Sequence, residues 1–325
     1  MEYINYPKQS PVQGLTGLYG GVQGSLMAAA AASGGGGDGW TGSRGVFGGG
    51  SNAGNAIGYI TIQSTSNSSD FGDMTVSGRA GPANASNGSR GLMIGGTDPD
   101  SSKNSMEYVT IGTTGNGTDF GDPQVGRSNA CANGCATSGG RGVWSGGWPG
   151  NSMIEYVNIA VTGNSSDFGD LAHGGPPQSD MGLACDGTKG YFCGGYPNTD
   201  VVQYVTISTT GNTTDHMDLT VARYGLAANS SDSRAVCGGA RGSGVDVIDY
   251  FAMASTNNAS DFGDLSTGFG YTASSGDKSR GTFATGMGGA GNKIEYITIA
   301  STGNSSSFGD LNSGATFQPG GVSGT

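Results

Sequence analysis

Residues 294–311 read Ile-Glu-Tyr-Ile-Thr-Ile-Ala-Ser-Thr-Gly-Asn-Ser-Ser-Ser-Phe-Gly-Asp-Leu, and variants of this stretch occur six times along the chain. The tyrosines of successive copies are 49, 48, 48, 46 and 46 residues apart. Units of this length are typical of β-propeller blades, because one small sheet buries its faces only against neighbouring copies. The repeat therefore predicts an all-β fold, a six-bladed β-propeller with four antiparallel strands per blade. The six tyrosines are Tyr59, Tyr108, Tyr156, Tyr204, Tyr250 and Tyr296.

The unit over residues 179–219 shows how one repeat divides into strands. We predict an inner strand A over 181–185, strand B over 191–195, strand C over 201–207 and a short strand D ending at Leu219. Strand C alternates, and we expect both of its faces to be buried between neighbouring blades. A glycine pair ends strand B in every copy: Gly49-Gly50, Gly95-Gly96, Gly146-Gly147, Gly194-Gly195, Gly238-Gly239 and Gly288-Gly289.

Two polar positions recur in each unit, an asparagine before strand D and the second aspartate of Asp-Phe-Gly-Asp. We interpret the asparagine as a turn residue with positive φ rather than a glycosylation acceptor. A calcium cage needs more oxygens than the two carboxylates of one block, although a cation role for the blocks stays open. We expect the aspartates to cap turn amides or to pair with the basic residue opening strand B. These basic residues are Arg44, Arg90, Arg141, Lys189, Arg234 and Arg280.

Composition excludes several classes of function. The net charge of −11 and the lack of a basic cluster argue against a nucleic-acid partner. No stretch approaches 18 apolar residues, so we expect no membrane insertion. The first residues lack a signal-peptide pattern, so we expect the protein to be made in a reducing cytoplasm. Five cysteines with no fixed place in the repeat are a poor disulfide framework.

Catalytic candidates are scarce. The two histidines, His173 and His216, stand in different repeats, and the internal glutamates Glu107, Glu155 and Glu295 share one repeat position. We therefore expect no enzymatic activity, no catalytic residues, no cofactor and no metal site.

The glycine pair, the strand C tyrosine and the later aromatic residue resemble the kelch repeat. The sequence of residues 294–311 is similar to the repeat units of the Gly/Ser/Asn-rich kelch-like proteins of tailed bacteriophages. This resemblance covers about four-fifths of the chain. It implies a kelch-like propeller in a virion structural protein, assembled in the host cytoplasm and located in the virion. Tail fibre, tail attachment and head decoration all fit the resemblance, and a cellular kelch adaptor is a further alternative.

The loops between strands B and C vary from copy to copy, whereas the loops between C and D are nearly constant. Varied loops on a rigid scaffold are where binding sites usually lie, so we predict host-surface glycan or receptor binding there, with Trp148 and Tyr196 as leading contacts. The alternative is that each ring packs over its own glycine pair. The candidate binding residues are Asp98, Asp100, Trp148, Tyr196, Asn198 and Arg241.

The two ends fall outside the repeat. We interpret residues 1–24 as an arm that attaches the chain to other virion proteins, and homo-oligomerisation stays open. The alanine run after Met27 matches strand A of the first blade, but the tail 312–325 is an alternative source of that strand and would close the ring. The predicted blades cover residues 25–76, 77–125, 126–171, 172–220, 221–265 and 266–311.

Overall fold

The chain forms six four-stranded antiparallel sheets, which confirms the predicted all-β, six-bladed β-propeller. Within the described residues there are 26 strands and no helix, so none that could cross a membrane. The computed structural model describes residues 42–50, 54–98, 101–102, 104–127, 135–136, 140–148, 152–173, 178–241, 245–268, 270–284, 291–312 and 319–325.

Each blade runs from an inner strand A through B and C to an outer strand D. Blade one contains β26 (Gly320–Gly324), β1 (Arg44–Gly48), β2 (Ala56–Thr61) and β3 (Ser69–Asp73). Blade two contains β4 (Ala83–Ser86), β5 (Arg90–Ile94), β8 (Met106–Thr110) and β9 (Thr118–Gly121), with a hairpin of β6 (Thr97–Asp98) and β7 (Ser101–Ser102) between B and C. Blade three contains β10 (Cys135–Ala136), β11 (Arg141–Ser145), β12 (Met153–Asn158) and β13 (Ser166–Asp170).

The other three blades follow in chain order. Blade four contains β14 (Gly182–Cys185), β15 (Lys189–Cys193), β16 (Thr199–Thr206) and β17 (Thr214–Arg223). Blade five contains β18 (Ala227–Ser230), β19 (Arg234–Gly238), β20 (Val247–Ala252) and β21 (Ser260–Asp264). Blade six contains β22 (Ala273–Gly276), β23 (Arg280–Ala284), β24 (Lys293–Thr298) and β25 (Ser306–Asp310).

The inner position of blade one is occupied by the C-terminal strand β26, which pairs antiparallel with β1. Val322 lies opposite Val46 in this pair, and both side chains are buried. Of the two segments that the sequence offered for the inner strand of blade one, the C-terminal tail is the one that occupies this position. That run and the predicted arm of residues 1–24 lie outside the described residues.

Small side chains let the inner strands crowd around the central axis. Serine hydroxyls on these strands donate to backbone carbonyls of the neighbouring inner strand, from Ser86 to Ser323 at 2.8 Å and from Ser274 to Ala228 at 2.7 Å. The apolar core lies between the blades, where Trp144 of β11 and Leu183 of β14 belong to one buried cluster. A single blade would leave these side chains in water.

Strand C is less buried than we predicted. In β16 and the residue after it, Val205 and Ile207 are buried, but Tyr204 is partly buried and Thr206 is exposed. The same alternation recurs in β2, β8, β12, β20 and β24. One face of this strand therefore packs in the core, and the other opens towards solvent at its C-terminal end.

The basic residue opening strand B stacks on the tyrosine of strand C. The Arg44 guanidinium carbon lies 4.6 Å from the centre of the Tyr59 ring, and Nη1 donates to the Ile111 carbonyl of blade two at 2.8 Å. The stacking recurs in all six blades, with Lys189 in blade four. A cation over an aromatic face contributes roughly 0.5–1 kcal/mol at an exposed site.

This contact corrects the expected pairing of the basic residues with the aspartate blocks. In blade one, Arg44 lies opposite Thr61 at one end of strand C, whereas Asp73 lies opposite Ala56 at the other end. These two positions are five residue steps apart along the strand, about 17 Å. The register therefore keeps the second aspartate away from the basic side chain, and the tyrosine is the nearer partner.

The repeated asparagine joins each blade to the one before it. The Asp73 N–H of blade one donates to Asn116 Oδ1 of blade two at 3.0 Å. The carbonyl of the same aspartate accepts the Gly117 N–H at 2.8 Å. The asparagine bond recurs at every joint around the ring, through Asn164, Asn212, Asn258, Asn304 and Asn67.

The asparagines do not adopt the positive φ that we predicted. Within the described residues, the non-glycine residues with positive φ are Asp180, Tyr271 and Lys278. The repeated asparagine contributes its carboxamide oxygen, which accepts a backbone N–H of the preceding blade.

The glycine of the Asp-Phe-Gly-Asp block makes this joint close enough to form. A Cβ added to Gly72 would lie 2.5 Å from the Gly115 carbonyl oxygen of blade two, and one on Gly121 would lie 2.5 Å from the Gly163 oxygen. Blade four has Met217 at this position, and blade five has Asn257 where the facing turn usually has glycine. Both facing glycines are thus replaced at the same joint.

Buried ion pairs hold the connections between blades. Arg79, in the segment leading from blade one into blade two, bonds Glu107 of β8 at 2.9 Å. Glu107 also accepts the N–H groups of Thr75 and Val76 from that segment. Arg127 with Glu155 and Arg223 with Asp249 form the equivalent pairs at later joints. These carboxylates are therefore occupied by the scaffold.

We expect Gly72→Ala to lower the free energy of unfolding by about 1–3 kcal/mol, because the added methyl meets backbone and φ at this position is +147°. The matched control is Gly115→Ala on the other side of the same joint, where an added Cβ meets nothing within 4 Å. Chemical denaturation of both variants measures the difference. Equal effects from the two substitutions would contradict the packing described for the joint.

Removal of residues 319–325 should lower the melting temperature by at least about 10 °C, since it leaves β1 without its inner partner. Far-UV circular dichroism during heating measures the change. Val161→Ala, at an exposed side chain in a C–D turn, serves as the control and should leave the melting temperature unaltered. Equal melting temperatures for the truncated and the full chain would show that β26 does not close the ring.

Candidate binding face

The antiparallel order of strands places the B–C and D–A loops on one face of the propeller, which we call the loop face. On it, Trp148 follows β11 and is 57% exposed, and Tyr196 follows β15 and is 41% exposed. Asn198 and Arg241 are also exposed. Asp98 ends β6 in the extra hairpin of blade two, and Asp100 lies outside the described residues.

Tyr196 and Arg241 are brought together by two tyrosines that we did not predict. The Tyr196 ring packs edge-on against Tyr224, with ring centres 5.2 Å apart, and Tyr224 packs edge-on against Tyr271 at 6.5 Å. The Arg241 guanidinium carbon lies 5.6 Å from the centre of Tyr224 and 5.2 Å from that of Tyr271. The cation is therefore held against two rings on the loop face.

Asp180 belongs to the same group. Its carboxylate accepts the Ser179 hydroxyl at 2.7 Å and interacts electrostatically with Arg241 and Tyr271. Its backbone carbonyl accepts the Gly225 N–H, and the Gly225 carbonyl in turn accepts the Tyr271 N–H, both at 2.7 Å. The backbones that carry these side chains are thus bonded to one another from blade to blade. We call Asp180, Tyr196, Tyr224, Arg241 and Tyr271 the loop-face cluster.

The positions of Asp180 and Tyr271 are unusual for non-glycine residues. Each lies two residues before strand A, with φ of 57°, and blades two and five have Gly81 and Gly225 at the equivalent place with φ of 61° and 74°. A tyrosine in this left-handed region is a genuine outlier and costs about 1–3 kcal/mol. The fold therefore accepts glycine at this position. Two blades nevertheless have Asp180 and Tyr271 there, and both side chains belong to one cluster.

The electrostatics of the cluster are set by burial. Loss of water raises the pKa of the Asp180 carboxyl to about 7, and the Ser179 hydroxyl and the Arg241 charge oppose the shift only in part. Burial also raises the pKa of Tyr271, with the Asp180 charge as a second cause. Near neutral pH the Asp180 carboxyl is therefore partly protonated, and its neutralisation of Arg241 is incomplete.

The histidines have structural surroundings. His216 replaces the strand D phenylalanine of blade four and packs between Tyr191 and Tyr204, with ring centres 5.1 and 5.4 Å away. Burial lowers its pKa, and the Lys189 charge lowers it further. The His173 backbone N–H and carbonyl bond the Gln203 side chain. In the part of the chain that the structure describes, no group of three or more His, Cys, Asp or Glu residues is placed to hold a metal.

Reading the B–C loops alone missed Asp180, Tyr224 and Tyr271, which lie in or at the ends of D–A segments. A usable signal was present, because aligning the six repeats places Asp180 and Tyr271 where Gly81 and Gly225 stand in other copies. A bulky residue at a glycine position of a repeat marks a site where packing alone does not determine the choice of residue.

Comparisons with known proteins add no relative to this picture. A scan against protein-family models gives no match for the chain. A search of curated proteins likewise finds no match.

We expect Asp180→Asn to flatten the pH dependence of stability. The carboxyl pKa is about 7 in the folded chain and 3.8 ordinarily, so the folded state binds more protons between these values. The wild type therefore loses stability as pH rises from 5 to 8, whereas the amide, which also tolerates positive φ, does not titrate. The melting-temperature difference, variant minus wild type, should increase by roughly 3 °C or more over that range.

Ser179→Ala serves as the control for this comparison. It keeps the carboxyl and removes one hydrogen bond that favours its charged form, so its stability should fall at least as steeply with pH as that of the wild type. Parallel curves for Asp180→Asn and wild type would show that the carboxyl does not titrate in this window.

Proposed function

We propose that this chain is a non-enzymatic virion component of a tailed bacteriophage, a tail fibre or tail-associated propeller that presents its loop face to the host surface. The observation that carries the proposal is the loop-face cluster. It holds an exposed tyrosine, Tyr196, and an exposed arginine, Arg241. Two further members, Asp180 and Tyr271, stand where other blades have glycine, and their backbones are bonded through Gly225.

Several other repeated polar groups have structural partners, which favours this face over the rest of the molecule. The strand B cations stack on tyrosines, the asparagines bond neighbouring blades, and Glu107, Glu155 and Asp249 pair with buried arginines. The loop face combines rigid support with sequence variation, which is the usual arrangement of a grafted binding site.

A non-enzymatic role is supported by the surroundings of the histidines. His216 packs among aromatic rings, and His173 engages Gln203 through its backbone. Neither of these contacts is with a Ser, Thr or Cys side chain that a histidine could activate as a nucleophile. The assignment to a phage virion is supported by the similarity of the repeat sequence to that of kelch-like phage proteins.

Particles that contain this chain provide the test. We expect the double substitution Trp148→Ala, Tyr196→Ala to reduce adsorption to host cells by at least about tenfold, since both exposed rings are removed. Gel analysis should show unchanged particle composition. Val161→Ala, on the opposite face, is the matched control and should adsorb normally.

Other outcomes would overturn the proposal. Normal adsorption by the double variant, with loss of the chain from particles after removal of residues 1–24, would assign it to decoration of the particle instead. Absence of the chain from purified particles would exclude a virion role altogether.

A further inference from the structure

We propose that the loop-face cluster is a binding site for a carboxylate-bearing saccharide, with Arg241 as the anion contact and Tyr196 as the stacking platform. The inference rests on the proposed function and deepens it, because it names the chemical class of ligand that the loop face takes. It places the site on blades four to six rather than over the whole face.

The first argument is the state of Tyr196. Its ring is 41% exposed, yet its orientation is set by the edge contact with Tyr224 at 5.2 Å. An aromatic face that is open to solvent and held by a neighbouring ring is a platform for the C–H face of a sugar. A tyrosine also loses little conformational entropy on binding, and its hydroxyl remains available for hydrogen bonds.

The second argument is the state of Arg241. The side chain is exposed, and its guanidinium carbon lies 5.6 Å from the ring centre of Tyr224 and 5.2 Å from that of Tyr271. Tyr224 is also the ring that contacts Tyr196. A guanidinium that is oriented in advance bonds a carboxylate through two parallel N–H donors. The nearest acidic group in the cluster, Asp180, is partly buried and already accepts the Ser179 hydroxyl.

The third argument is the backbone. Asp180 and Tyr271 occupy left-handed positions with φ of 57°. Two other blades have Gly81 and Gly225 at the equivalent position, and glycine adopts this φ without strain. Both side chains contribute to the setting of Arg241, one by charge and one by ring contact and hydrogen bond. Strained positions that converge on one exposed cation indicate a functional reason for accepting the cost.

The charge of the whole chain argues against a polyanionic ligand. With a net charge of −11, the protein repels extended phosphate polymers, whose binding needs many cations in a row. One oriented guanidinium beside a ring suits one carboxylate on a sugar ring. The exposed Asn198 carboxamide lies in the same loop as Tyr196 and offers both a donor and an acceptor for hydroxyls.

The test is a titration of the full chain with glucuronic acid and with N-acetylneuraminic acid, followed by saturation-transfer NMR, with glucose as the neutral control. We expect both acids, but not glucose, to give transfer, and binding to weaken as NaCl is raised. Arg241→Gln and Tyr196→Ala should each weaken binding by about tenfold or more. Val161→Ala, at an exposed side chain on the opposite face, should bind the acids as the wild type does.

Three results would overturn the inference. They are unchanged binding by Arg241→Gln, equal transfer to glucose, or no transfer to either acid from the wild type. Both variants alter exposed side chains, and matching melting temperatures would confirm that they fold.

The adsorption assay separates this inference from the proposed function. Particles whose adsorption depends on the loop face but is not inhibited by either acid would refute the saccharide site and leave the proposed function standing. Particles that adsorb independently of the loop face would refute the proposed function, whatever the isolated chain binds.

Discussion

Each blade of this propeller depends on a hydrogen bond that it cannot make by itself, from a backbone N–H in strand D to the asparagine carboxamide of the next blade. The Asp73 N–H bonds Asn116, and the same bond recurs around the ring until Asp310 bonds Asn67. The glycine beside each of these aspartates permits the close approach, except at Met217. Because every blade supplies a donor on one side and an acceptor on the other, stability is a property of the ring.

The period of the repeat predicted the architecture, and the basic residues do open strand B in every blade. The partners of repeated side chains were harder to predict. The Arg44 cation could not be assigned to Tyr59 rather than to the aspartates without the register, which places the two candidates at opposite ends of strand C. The role of Asn116 was missed because its partner lies 43 residues away, in another blade. A repeat indicates that a contact is shared, but not which copy supplies each half.

The candidate site shows the same division. Loop variability identified Tyr196 and Arg241, because they differ from the other copies in the B–C loops. Their juxtaposition depends on Tyr224 and Tyr271, which come from D–A segments of successive blades. Such a contact combines blade order, strand direction and the left-handed turn before strand A. A single sequence specifies the first two through its period, but the turn becomes evident only when the copies are compared position by position.

The position of β26 has a consequence for folding during synthesis on the ribosome. Strand β1 is synthesised first among the described strands, and its inner partner is synthesised last, after every other blade. Until β26 has been synthesised, β1 therefore lacks the inner partner that it has in the folded chain. A second copy whose β26 has already been synthesised carries the same segment, so exchange of β26 between chains is the misassembly to which this topology is most exposed.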